Sequence, residues 1–289
     1  MNSNEWPLVF FTLLSQMTAG IIIISFIVGL FVRNSELLSD FELKRNYFFV
    51  SLVLMVIALA ISFFHLSAPL QSVFALANLQ TSWLSREIFC MSMFTFLIAV
   101  CCAAVKFGIP GISGLPYWHI AAAFTGLLLV WIMARLYMIP IVPAWNNYAT
   151  MIGFFTSIFL LGGVALLVIL VVTGGKSFPF DQLKPVMWAL IVVVSLAVVA
   201  KLLNVFLFQS GISFTGGSLP PPEAPFSWHV IHVIFFVAGF FLLAYWAYSQ
   251  MQHTELYRPQ MVYLSFALLF VSEIFGRAIF YALYYRLGM

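Results

Sequence analysis

His65 and Glu87 stand at the two ends of one connection between long apolar runs, His65 closing the second run and Glu87 opening the third. Imidazole titrates near neutrality and a carboxylate takes up protons, so such a pair has the parts of a proton acceptor and relay. Other ionisable groups also interrupt apolar runs: His119, Arg135 with Tyr137, Lys201, His229, His232, Glu273 and Arg277. A charge in hydrocarbon is costly, so each is a functional candidate unless it forms an internal pair or snorkels to the surface. Glu273 and Arg277 are spaced i and i+4, one turn apart on a helix face, and a neutralised ion pair is the simpler account of them. Snorkelling is the simpler account of Lys201.

A membrane imidazole beside a carboxylate suits oxidation of a lipid-soluble hydroquinone, which gives up two protons with its two electrons and needs acceptors at its hydroxyls. Transporters use the same residue types, so solute or ion coupling stands as an alternative. Cys90, Cys101 and Cys102 share one apolar run and have no spacing for zinc or an iron–sulfur cluster; they read as packing thiols. His65 with His229 or His232 could face one another as haem ligands, although no spacing specifies that geometry. No nucleotide motif is present and no nucleic-acid partner is expected. Electrons taken from a hydroquinone here must leave for a centre held by another subunit.

The elements that position these groups follow from composition. With 64% hydrophobic and 7% charged residues and a mean hydropathy of +1.09, the chain has too little polar surface to cover a globule in water. Its solvent is lipid. A hydrocarbon core of roughly 30 Å needs about 20 apolar residues per helical crossing, and such runs predict spans over 8–33, 47–66, 87–107, 117–138, 150–173, 185–207, 228–249 and 260–285. Strand-like alternation is absent, which argues against a barrel. The fold class expected is all-α, one transmembrane domain over residues 1–289 built as a bundle of eight helices.

Arg33, Lys44, Arg45, Lys106, Lys176, Lys184 and Arg258 fall beside the odd-numbered connections, against Arg86 and Arg286 on the other side. Positive loops remain cytoplasmic, so both termini are expected on the outer, periplasmic face of a bacterial inner membrane. His65, Glu87, Arg135, Tyr137, Lys201, His229, His232, Glu273 and Arg277 then gather in the outer half of the bilayer, and His119 lies at the inner end. The outward connections near 67–86, 139–149 and 208–227 are poor in charge; Pro140, Pro143, Trp145, the Gly216 to Pro225 stretch, Phe226 and Trp228 suit either a docking platform or an interfacial aromatic belt.

The stretches FFHLSAPLQ around His65 and LSREIF around Glu87, the opening Glu5-Trp6-Pro7 with Gln16 and Gly20, and Glu273-Ile274-Phe275-Gly276-Arg277 with Phe280-Tyr281 resemble the membrane-anchor subunit family of dimethyl sulfoxide reductases (DmsC-like). So do the run from Trp131 to Tyr137, Pro143 with Trp145, Gly153-Phe154-Phe155 and Gly162-Gly163, in order and spacing. The resemblance spans residue 5 to about 288. It implies eight spans with both termini outside, and a haem-free subunit that oxidises menaquinol. It also implies two partners in anaerobic respiration: an iron–sulfur subunit docked on the outward loops and a catalytic subunit holding molybdopterin.

In that family, the His of the HLxxP motif and the Glu of the third span are tied to quinol binding and oxidation; they correspond to His65 and Glu87. Arg135, Tyr137 and Arg277 are further candidate quinol contacts, and no metal site is expected. The chain departs from the family pattern at Ser67, where Gly is usual, and at Gln71, where Arg is usual; Arg86 could supply the missing positive charge. A related anchor serving a polysulfide, tetrathionate or nitrate reductase fits the same residues, because the terminal acceptor is chosen in another polypeptide.

Overall fold

The computed structural model describes residues 6–31, 41–63, 76–109, 116–142, 144–177, 180–214, 224–252 and 258–283. His65, Ser67, Gln71, Pro143, Arg33, Arg286 and most of the glycine–proline connection from 215 to 223 lie outside them. Eight long helices are described: α1 Trp6–Phe31, α2 Phe41–Phe63, α3 Trp83–Phe107, α4 Pro116–Tyr137, α5 Tyr148–Ser177, α6 Phe180–Phe214, α7 Phe226–Gln252 and α8 Gln260–Ala282. Each contains a stretch long and apolar enough to cross a membrane. A short 3-10 turn, Leu76–Asn78, leads into α3.

Several helices start earlier than hydropathy alone predicts. Phe41 to Asn46 and Trp83 to Arg86 contain charges, so an apolar window skips them, yet their backbones are helical. For α3 the reason is local: Ser82 adopts an extended backbone and its hydroxyl accepts the Ser85 N–H at 3.3 Å, capping an otherwise unpaired donor. Glu87 therefore sits one turn inside the helix. The other end of α3 closes at Gly108, whose φ of +58° is the left-handed conformation glycine tolerates.

The centre of the bundle is α1 against α5. In the most apolar window of each, 78% of residues are buried, against 22% in α7. α1 also packs on α2, α4 and α8; α3 bridges α2 and α4; α6 lies on α5; and α7 packs chiefly on α8. The central pair meets at Gly20 and Gly162. A Cβ on Gly20 would run into the Ile158 carbonyl and lie 2.7 Å from Gly162 Cα, and one on Gly162 would run into Gly20. Small residues let membrane helices approach this closely.

Gly162→Leu is expected to destabilise the fold by about 3 kcal/mol or more, read as a lower unfolding temperature in detergent. Gly29→Leu, where nothing lies within 4 Å of an added Cβ, is the control and should be near neutral.

Helix directions and contacts define two ends. Trp6, Trp83, Tyr137, Trp145, Trp228 and Tyr281 mark one; His119, with Tyr47 and Phe48, marks the other.

Candidate functional site

Along α3, Ser85, Glu87, Cys90, Met91 and Phe94 are buried, while Leu84, Phe89, Met93 and Phe96 face outward. This helical spacing turns Glu87 into the bundle, where it is 4% exposed. Among the described residues, its Oε1 has no hydrogen-bond partner. Arg86 does not supply a counter-charge there: its Nε donates to the Leu79 carbonyl at 2.8 Å, its guanidinium also reaches the Gln80 carbonyl, and it stacks 4.4 Å from the Trp83 ring centroid.

Two hydroxyls from α4 and α8 lie within electrostatic reach of Glu87. The Tyr281 hydroxyl donates to the Tyr137 hydroxyl at 2.9 Å. Thr12, buried on α1, donates its hydroxyl to the Leu8 carbonyl at 2.9 Å. Trp145 packs against Phe280 with ring centroids 5.3 Å apart and donates its indole N–H to the Phe280 carbonyl at 2.8 Å. It is 8% exposed, so the expected place of Trp145 on an outward docking surface gives way to a role in fixing α8; Tyr148 and Phe226 are exposed aromatics of that end. Arg135, a candidate quinol contact, lies 5.6 Å from the Trp83 ring centroid, and Trp83 also packs on Trp131.

One turn deeper lies a charged centre. Arg277, 6% exposed, donates to Gln16 Oε1 at 2.7 Å and to Ser157 Oγ at 3.5 Å, with its guanidinium 3.9 Å from the Phe154 ring centroid. Ser157 donates to Glu273 Oε2 at 2.8 Å, and Lys201 forms an ion pair with Glu273. Two expectations are thereby corrected. The i,i+4 spacing of Glu273 and Arg277 does not make them partners among the described residues; Ser157 stands between them. Lys201 does not simply snorkel, because Glu273 is buried and offers its ammonium a carboxylate across the helix boundary.

The remaining histidines divide between the two ends. His232 donates from Nδ1 to the Ser272 carbonyl at 2.8 Å, and Ser272 returns a bond to the His232 carbonyl at 2.9 Å, tying α7 to α8 beside Lys201. His229 sits at the start of α7 with Nδ1 3.4 Å from the Pro225 carbonyl. His119 is at the far end, its Nε2 3.0 Å from the Ile22 carbonyl and 3.2 Å from Ser25 Oγ, within rings of Phe26, Tyr47 and Phe48.

Glu87, Tyr137 and Arg277 are thus gathered into one centre, Arg135 is beside it, and His65 lies outside the described residues. Residue-by-residue reading of the sequence passes over Tyr281, Ser157 and Gln16 as site residues. Their signal is present as polar side chains one turn apart inside apolar helices, Thr12 with Gln16 and Arg277 with Tyr281. Among the described residues, no group of three or more His, Cys, Asp or Glu side chains could hold a metal ion; Cys90 donates weakly to the Thr125 carbonyl at 3.5 Å.

Residues 1–283 match the family model described as DMSO reductase anchor subunit (DmsC). The protein is 29% identical to the C subunit of anaerobic dimethyl sulfoxide reductase from Escherichia coli K12, over 99% of its own length and 97% of that subunit's. It is 28% identical to the anaerobic dimethyl sulfoxide reductase subunit YnfH of the same organism, covering 99% and 97%. The C subunit of the Haemophilus influenzae Rd enzyme is 27% identical, over 99% of this protein and 96% of that subunit. No solved structure matches the protein.

Proposed function

The chain belongs to the DMSO reductase anchor subunit family and is a multi-pass inner-membrane protein, and from that premise we propose that it binds and oxidises menaquinol for a molybdenum-containing reductase of the dimethyl sulfoxide reductase type. The observation that carries the reading is Glu87: a buried carboxylate oxygen without a partner among the described residues, within electrostatic reach of two tyrosine hydroxyls at the Trp6 end.

A hydroquinone entering from lipid loses its hydroxyl protons as it loses two electrons. Glu87 accepts one proton and His65, at the other end of the same connection in the sequence, accepts the other. The Trp6 end is the periplasmic one and both termini lie there, a reading supported by Arg45, Lys106, Lys184 and Arg258 at the opposite ends of their helices. Electrons pass to an iron–sulfur subunit docked on the outward loops and on to the molybdopterin subunit. Protons released outward and consumed outward leave no net charge transfer across the membrane.

The test is to isolate the chain gently from its native membrane, identify the subunits that accompany it, and ask whether a reduced menaquinone analogue reduces their iron–sulfur clusters. His65→Arg should assemble normally and lose quinol-dependent cluster reduction. A chain that emerges alone and inert to quinol, or a His65→Arg complex reduced at the parent rate, overturns the assignment.

A further inference from the structure

Gln16 is fully buried on the central helix, and its amide is oriented by chemistry: a guanidinium only donates, so the oxygen must face Arg277. The nitrogen is then turned away, and among the described residues Nε2 has no acceptor. An unused donor inside a membrane bundle carries a desolvation cost, as does an unused acceptor such as Glu87 Oε1. The two orphans are complementary, and they belong to one built wall. Gln16 meets Arg277 on α8, and Tyr281, whose hydroxyl bonds Tyr137, lies one turn or about 6 Å further along the same helix. Tyr137 bonds Tyr281 at 2.9 Å, and Glu87 lies within electrostatic reach of both hydroxyls.

We infer that Gln16 is a binding residue for the quinol headgroup, donating its free amide N–H to the ring oxygen para to the one that gives its proton to Glu87. The inference rests on the quinol reading above and specifies its second anchor. One helical turn separates the Tyr281 and Arg277 levels of α8, a spacing comparable to that of two oxygens at opposite corners of one six-membered ring, and the rings of Phe154, Tyr137 and Phe280 pack together at these levels. No bond changes at Gln16. Its N–H serves the phenolic oxygen of the reduced ligand and, more strongly, the carbonyl of the oxidised one, so it favours the product side of the oxidation. Arg277 is a positioning residue that holds the amide in this orientation.

Gln16→Glu isolates the donor: the new carboxylate still accepts from Arg277 but offers the ligand no N–H. Gln16→Met removes both. With the intact complex in native membranes and menadiol as the probe, the KM for cluster reduction should rise about tenfold in Gln16→Glu, the loss expected for one buried hydrogen bond with an orphaned partner. Its kcat should change less than twofold, and Gln16→Met should lose at least as much.

A merely structural role for Gln16 predicts the reverse for Gln16→Glu, whose added ion pair with Arg277 would leave KM unchanged. An assembled Gln16→Glu complex with KM within twofold of the parent overturns the inference, and so does failure of both variants to assemble. Glu87→Gln separates the two levels. If that variant is inactive while Gln16→Glu is normal, only the Gln16 contact falls; if Glu87→Gln also turns over menadiol normally, the quinol reading itself falls.

Discussion

Glu87→Gln is expected to lower quinol-dependent reduction of the partner clusters by about a hundredfold or more, the range for removing a general base. The complex should assemble at normal levels. The substitution keeps the side-chain volume and breaks no hydrogen bond of Oε1 among the described residues, so the packing of α3 is undisturbed. The check is stopped-flow reduction by menadiol beside a dithionite control that bypasses the membrane subunit. Reduction by dithionite should match the parent, which localises the defect to the quinol step. Parent-like rates with menadiol would remove Glu87 from the chemistry.

The second large effect is on stability. Lys201→Met leaves Glu273 buried with Ser157 as its remaining described partner, and removing one member of a buried ion pair costs about 3–5 kcal/mol. Because the Lys201 side chain is 18% exposed, the lower part of that range is expected. The double variant Lys201→Met with Glu273→Met should recover much of the loss, since apolar side chains of similar volume carry no desolvation cost. Thermal unfolding of the two variants in detergent measures this. A double variant no more stable than the single one would show that Glu273 is needed by Arg277 and Ser157 rather than by Lys201.

Depth and burial are readable from the sequence to different degrees. The eight crossings are legible because hydrocarbon demands long apolar runs, and the common depth of Glu87, Tyr137 and Arg277 follows from counting along alternating helices. Which helices are central is not. α1 and α7 pass the same criteria of length and apolarity, yet one is mostly enclosed by protein and the other mostly faces outward. In water those environments select different surfaces; in lipid both are apolar, so amphipathic patterning disappears. The starts of α2 and α3 are misplaced by hydropathy because charged first turns are invisible to an apolar window.

Partner choice in the charged centre is illegible for another reason. The i,i+4 rule sees only one helix, whereas Glu273 and Arg277 are satisfied by Lys201, Ser157 and Gln16 from three others. Gln16 shows the same limit: its neighbours on α1 carry no charge, and its chemical situation is created by a guanidinium 261 positions away in the sequence. Gly20 and Gly162 are visible in the sequence as part of a family resemblance, but the physical content of their contact, a backbone approach with no room for Cβ, emerges only in three dimensions.

The charged centre also has a temporal side. Ribosomes deliver helices in order, so α6 enters the bilayer carrying Lys201 before α8 has been synthesised with Glu273. Gln16 and Ser157 likewise wait for Arg277. During that interval, the nascent bundle holds a cation in hydrocarbon without its carboxylate, and α8 is the piece that neutralises it. A polypeptide arrested after α7 therefore differs from a finished one by a Lys201 side chain whose carboxylate partner has not yet been made.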